Sequence, residues 1–347
     1  MYPISAQAHK VLNEPARIAS RDLWFRRLEN LFNVKADEEN QRFVFTLHGT
    51  VPRPQDDQLA YTHPEEWVNA CLELLAAQPE CTAHRFSPAC VEYPIYGVHF
   101  IDKIFGANVY RHMGQWHADY LESPVGALEM PDLEKDETWA LARRAAQAFL
   151  DADVAWPLFG MPTLSSALNI YVNLYGGEGL AAMLEDEEAA AHDLKVINDL
   201  IRSLHRWYIA HVPAQQLQPV ISWLRTQPPA YGQLCGCTCQ LLPAGLYRDM
   251  VAPLDDALLA EYTHGGMIHL CGSHAQHIPV FREMPHLKSI QLNDRAAEDL
   301  PLYLEGLRED QILYVNPCNG MPVDQVVSLS KGNRIVLCAP VDAPVKP

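Results

Sequence analysis

The sequence has no long hydrophobic run. None of its apolar stretches approaches the roughly 20 residues that a membrane helix needs, so no membrane partner is expected. Positive charge is also scarce: 26 Lys and Arg stand against 43 Asp and Glu, a formal net charge of −17. A surface this acidic repels phosphate backbones and argues against nucleic acid as a partner. No GxGxxG follows the first apolar segment, and no GxxxxGK followed by Ser or Thr occurs anywhere. A doubly wound nucleotide-binding fold therefore loses its usual signature. The opening "MYPISAQAHK" has no apolar core with a small-residue cleavage site, so no export signal is expected.

Cysteine, by contrast, is plentiful. There are nine, at positions 71, 81, 90, 235, 237, 239, 271, 318 and 338. An odd number in a chain without an export signal points to reduced thiols in the cytoplasm. Reduced thiols can serve as ligands or nucleophiles. The 347 residues suffice for a substantial core in one large domain.

Residues 1–40 are polar and helix-prone and form an N-terminal helical extension; residues 41–347 form the main domain. "RFVFTLHG" (42–49) reads as a strand, "HPEEWVNACLELLAAQ" as a helix, and "ACVEYPIYG" as a strand interrupted by Pro94. Residues 98–135 read as an irregular, aromatic connection across the mouth of the fold. A long helical stretch from Leu164 to about His211 is punctuated by "YGGEG" at 175–179. Pro253 predicts a kink near Ala252 in the next helix. From there the alternation is regular: "MIHLCG", "LKSIQLND", "QILYVNP" and "RIVLCAPV" are strands separated by helices. Apolar strands alternating with helices imply an α/β fold with a parallel sheet. The length and about eight strand candidates fit a (β/α)8 TIM barrel with N-terminal helical additions.

In such a barrel the working side chains project from the C-terminal ends of the strands. His269 and Cys271 are i and i+2 on one strand, so they leave on the same face, just before Gly272. Cys338 ends the last strand, and Cys318 comes just after the strand before it. One imidazole and two thiolates suit Zn²⁺, which takes N and S donors tetrahedrally and can leave one position for substrate. The plainer reading is that each cysteine is a small core residue. "CGCTC" (235–239) is a second cluster, with its three sulfurs on one face if the segment is extended. It reads either as a further ligand or redox source, or as a tight loop carrying reduced thiols. His48, ending the first strand, could reach the mouth and a bound cofactor. Asp294, Glu92 and Asn316 lie at strand ends as candidate acid, base or substrate-binding groups. His264, His274 and His277 flank the key strand on loops and are expected at the surface.

These segments resemble the uroporphyrinogen decarboxylase superfamily over roughly residues 60–340. "SALNIYVNLYGGEGLAAMLEDEEAAAHDLKVIND" is similar to its long helical stretch, and "LLPAGLYRDMVAPLDDAL" to a later segment of it. "IHLCG" resembles the His-x-Cys-Gly of its zinc-dependent corrinoid-protein methyltransferases. The Arg-rich N-terminal motif of the decarboxylases is absent, and "LCAP" stands where the methyltransferases usually carry Pro-Gly-Cys. The resemblance implies zinc on His269, Cys271 and a third cysteine, Cys338 by strand order or else Cys318. It implies methyl transfer from a methylcorrinoid (cobalamin) presented by a corrinoid-binding partner protein to a small-molecule acceptor, a thiol or a tetrahydropterin. A homodimer is compatible with it. The alternatives are a decarboxylase-like lyase on a small carboxylated substrate, and a barrel that has kept its fold and lost its chemistry.

Overall fold

The computed structural model describes residues 4–33, 42–47, 53–78, 89–218, 225–330 and 335–340. Runs rich in Val, Ile and Leu become strands because such side chains pack well on a pleated surface. The strands are β1 (Arg42–Leu47), β2 (Cys90–Val91), β3 (Val109–His112), β4 (Gln115–Ala118), β5 (Leu158–Phe159), β6 (Gly232–Cys235), β7 (Gly266–Cys271), β8 (Leu287–Asn293), β9 (Ile312–Val315) and β10 (Ile335–Pro340). Six of them form one parallel sheet in the order β1-β10-β9-β8-β7-β6. β2 and β5 pair in parallel separately. Single parallel bridges join Phe159 to Leu217 and Ser165 to Cys235. The expected α/β class with a parallel sheet is therefore present. Among the described residues, however, the ladder does not close into the expected ring of eight.

Helices cover this sheet. The segment expected to be one broken helix forms two, Ala167–Glu185 and Glu187–His211. The boundary falls at Asp186, whose carboxylate caps the second helix, and not at the paired glycines. Gly176 instead kinks the first helix at φ 58°, where a Cβ would lie 2.5 Å from the Tyr120 ring. The kink near Ala252 takes the form of a π-helical turn, Tyr247–Val251, ahead of the helix Ala252–Leu259. Pro253 sits in that helix's first turn, where its missing N–H costs nothing. The connection 98–135 is less irregular than expected, since it holds the helix Phe100–Ile104 and the β3–β4 hairpin. At the other end, Trp24, Phe25, Leu28 and Leu31 of the helix Pro15–Asn33 join Met267, Ile312, Tyr314, Val336 and Cys338 in one apolar cluster. No helix among the described residues is long and apolar enough to cross a membrane.

The register between β6 and β7 places the first two polar side chains of the sheet's open end. Gly232 faces Gly266, and a Cβ on Gly266 would stand 2.1 Å from the Gly232 carbonyl oxygen. Two glycines thus let the strands start in close approach. Three residues on, Cys235 lies beside His269. Gly266→Ala is expected to cost about 1–3 kcal/mol or more through forced separation of the strands. Denaturant unfolding checks this, and a change below about 0.5 kcal/mol, the range of an ordinary surface substitution, would contradict it.

Asp255, fully buried, accepts the Tyr247 hydroxyl at 2.9 Å. Burial pushes its carboxyl up to about 7, opposed by that hydrogen bond and reinforced by the charges of Asp256 and Cys235. Its folded pKa lies above its unfolded one, so the stability it contributes is complete below about pH 4 and is lost as pH rises through about 7. Asp255→Asn should flatten the fall in melting temperature between pH 5 and pH 8. An unchanged pH profile would contradict the assignment.

Candidate metal centre

β7 is buried along its length and carries His269 and Cys271 toward one face at its C-terminal end. His269 is 8% exposed. Gln291 on β8, its register partner, has its Oε1 on the His269 Nδ1 hydrogen. That leaves Nε2 turned toward the sulfurs, 3.1 Å from Cys271 Sγ.

The neighbouring strand supplies the rest. β6 ends at Cys235, and the backbone turns at Gly236, whose N–H donates to the His269 carbonyl at 2.9 Å. A Cβ on Gly236 would meet Ile268 Cδ1 at 2.5 Å, so only glycine makes this turn without displacing the core. A 3-10 segment, Cys237–Leu241, comes next. The extended alternation expected of "CGCTC" is therefore broken. Cys235 and Cys237 come together, Sγ to Sγ 3.5 Å, while Cys239 is buried separately. The ligand atoms of Cys235, Cys237 and His269 all lie within 4.8 Å of one another. In a zinc tetrahedron with bonds of about 2.0–2.3 Å, donor atoms stand about 3.5–3.8 Å apart. The donor set is soft and nitrogen-sulfur in character, and its spacing fits zinc with little movement.

The protons are unevenly held. A hydrogen bond from Cys237 brings Cys235 down to about 5, against desolvation, helped by the charges of His269 and Arg225. Cys271 is brought down to about 3, again by Cys237 first, with His269 and Asn293 assisting against burial. Cys237 is pushed up because it keeps the proton between two neighbouring thiolates. Thiols held down beside one imidazole favour a soft cation.

His274 and His277 are fully buried, contrary to the surface placement expected from their loop position. The reason is structural: each ties the cysteine loop to the end of β7. His274 bonds the carbonyls of Gly272 (2.9 Å) and Cys237 (3.1 Å), and His277 bonds the Cys239 carbonyl at 2.8 Å. His264 is exposed as expected and stacks on Tyr231.

The other candidates lie apart from this cluster or beneath it. Cys338 faces the inner apolar cluster, where burial pushes its thiol up, and it is not among the ligand atoms that converge. Cys318 is half-buried in a two-residue bridge with Met321 and is likewise outside the cluster. Asn316 is buried and hydrogen-bonds both Gln291 (3.1 Å) and Asn293 (2.8 Å). Asp294 is exposed just beyond β8 in left-handed backbone, φ 52°. Glu92 is buried just after β2, paired through Oε2 with Arg53, while its Oε1 has no partner among the described residues. His48 lies outside the described residues.

Glu92 and Arg53 line a cavity of about 260 Å³ walled by Tyr61, Trp67, Arg111 and Trp116. Arg225, which sequence reasoning missed, acts electrostatically on both the sulfurs and Glu92. Its charge bears on Cys235, Cys237 and Cys271 and on Glu92. It is 9% exposed, and its Nε and Nη1 have no hydrogen-bond partner among the described residues. The sequence "VISWLRTQPP" gave no signal for it, since an arginine after an apolar run usually points to solvent.

No protein-family model matches the chain, and no curated protein matches it. Among solved structures, a methyltransferase from Methanosarcina mazei superposes with a TM-score of 0.56 over 93% of this chain and 94% of its own, at 11% identity. The two chains share a fold across nearly their whole length.

The centre predicts a ligand test. His269→Ala, Cys235→Ser and Cys237→Ser should each lose most zinc from protein loaded to one equivalent, whereas Cys338→Ala and Cys318→Ser should keep it. Metal analysis after dialysis reads this directly. Zinc lost in Cys338→Ala but kept in Cys235→Ser would reverse the ligand assignment.

Proposed function

We propose that the protein is a zinc-dependent methyltransferase that moves a methyl group from the methylated corrinoid of a partner protein to a thiol acceptor. The observation that carries this reading is the convergence of Cys235, Cys237 and His269, with Cys271 against the same imidazole. The fold shared with a methyltransferase supports it at the level of reaction class. We take the fold to be a (β/α)8 barrel whose sheet edges meet across the β2–β5 pair, with the cysteine loop and β7 opening at its mouth.

His269, Cys235 and Cys237, joined by Cys271, would hold the zinc, and one of the four would give up its place when the acceptor's sulfur binds. Zinc so bound holds an acceptor's sulfur as a thiolate at neutral pH, which supplies the nucleophile. The acceptor sulfur would attack the methyl carbon in line, forming the S–C bond as the Co–C bond breaks, with cobalt as the leaving group taking the bonding electron pair. The chain's own residues do the positioning. Arg225 has two donors without a partner among the described residues, bears electrostatically on the sulfurs, and is suited to an anionic group on the acceptor. The aromatic wall of the cavity would give an acceptor an apolar surface to lie on, and orientation of the two reactants would supply much of the rate. Tetrahydropterin is the alternative acceptor. It carries no thiol and needs a proton route that Glu92, held up by burial, could give.

A second reading has one observation in its favour. Arg53 and Arg111 line the cavity, paired with Glu92 and Asp57, and the charge of Arg225 also acts on Glu92, so arginines are at hand for a small carboxylated substrate of a lyase. That enzyme would work with metal removed.

The direct assay is loss of methylcobalamin absorbance when thiol is added to zinc-loaded protein. Turnover should require both zinc and thiol. Arg225→Met should raise KM for a mercapto-carboxylate about tenfold or more and leave a neutral thiol nearly unaffected, as expected for loss of a charged hydrogen bond. Thiol-independent demethylation, or carbon dioxide release by the metal-free protein, would overturn the methyl-transfer reading.

A further inference from the structure

Five side chains around the centre form one closed hydrogen-bond circuit. The His269 Nδ1 hydrogen goes to Gln291 Oε1. Gln291 Nε2 donates to Asn316 Oδ1 at 3.1 Å, and Asn316 Nδ2 donates to Asn293 Oδ1 at 2.8 Å. Asn293 Nδ2 donates to Cys271 Sγ at 3.4 Å, and Cys271 Sγ lies 3.1 Å from His269 Nε2. Each amide uses its N–H on one side and its oxygen on the other, so the three amide donors point the same way round. An amide turned over would set N–H against N–H and oxygen against oxygen at two contacts. The three amides are therefore set together, and of the two concerted senses only this one leaves the His269 Nε2 without a proton.

β7, β8 and the end of β9 hold these groups in adjacent register. His269 faces Gln291 and Cys271 faces Asn293, while the Asn316 backbone N–H bonds the Leu292 carbonyl. Gln291 and Asn316 are 1% and 7% exposed, so water does not compete for their bonds. Polar groups this deep are costly unless satisfied, and here each is satisfied by the next.

We propose that Gln291, Asn316 and Asn293 act as a relay of positioning residues. It locks His269 with its proton on Nδ1, so that Nε2 stays a ligand nitrogen. At the same time it presents an N–H to Cys271, so that this sulfur stays an acceptor. The relay thus couples two metal donors, from the inside of the sheet, through an asparagine that touches neither of them. This rests on the zinc reading above and adds to it the part of the chain that sets the centre's affinity and ligand geometry.

Asn316 is the decisive residue. If His269 and Cys271 were supported independently, its loss would be silent at the metal. The relay requires that Asn316→Ala weaken zinc binding by about 10–100-fold, the usual effect of losing an outer partner of a metal ligand. Gln291→Leu should do the same, and Gln291→Glu, which still accepts from Nδ1 but cannot donate to Asn316 Oδ1, should recover only part of the affinity. Affinity is read by chelator competition, and cobalt substitution reads the Cys271 thiolate as charge-transfer absorbance. Nitrogen NMR of the His269 ring in metal-free protein reads the tautomer without any metal. If Asn316→Ala does not fold, Asn316→Asp, which keeps the acceptor and loses the donor, serves instead and should uncouple Asn293 alone. Zinc affinity within twofold of wild type in the folded Asn316 variant, with Nδ1 protonation unchanged in Gln291→Leu, would overturn the relay. A wild-type protein that binds no zinc, yet shows the Nδ1 proton lost in Gln291→Leu, would sink the metal reading and leave the relay standing.

Discussion

Strand register at one pair of glycines decides this molecule's chemistry. Gly232 against Gly266 sets β6 and β7 so that Cys235 falls opposite His269. The turn at Gly236 then folds Cys237 back onto the same imidazole. A slip of one residue would send one strand's donors to the opposite face, because side chains alternate along a strand. The centre is thus a property of backbone pairing first and of side-chain choice second.

Around that pairing the protein places many buried polar groups. His274 and His277 pin the cysteine loop by its carbonyls, and an amide circuit supports His269 and Cys271 from below. Arg225 lies buried, its charge bearing on the sulfurs, with Nε and Nη1 unpartnered among the described residues. Such groups weigh against folding unless a task or a partner balances them. Here they surround a pocket in which two thiols are held well below their usual range, which is the electrostatic state a soft dication requires.

Much of the layout was legible in the sequence. The second half reads as strands and helices because its apolar runs are short, Val- and Ile-rich and evenly spaced, and β7 to β10 fall where those runs lie. His269 and Cys271 could be paired because i and i+2 share a face whatever the tertiary fold. The partner sulfurs were harder. Strand order pointed to Cys338, but position along the chain does not give depth within the sheet, and the described Cys338 belongs to the apolar cluster with Met267, Tyr314 and Val336. "CGCTC" was visible as a cluster, yet its use depends on Gly236 turning against Ile268, a tertiary contact. The burial of His274 and His277 was not legible for the same reason: their partners are loop carbonyls brought near by folding.

X-ray absorption at the zinc edge of the purified full-length protein tests the central claim most directly. The account predicts near-stoichiometric metal with a mixed first shell, two or three sulfurs at about 2.3 Å and one imidazole nitrogen at about 2.0 Å. A shell of oxygen and nitrogen alone, with the sulfurs free, would contradict it.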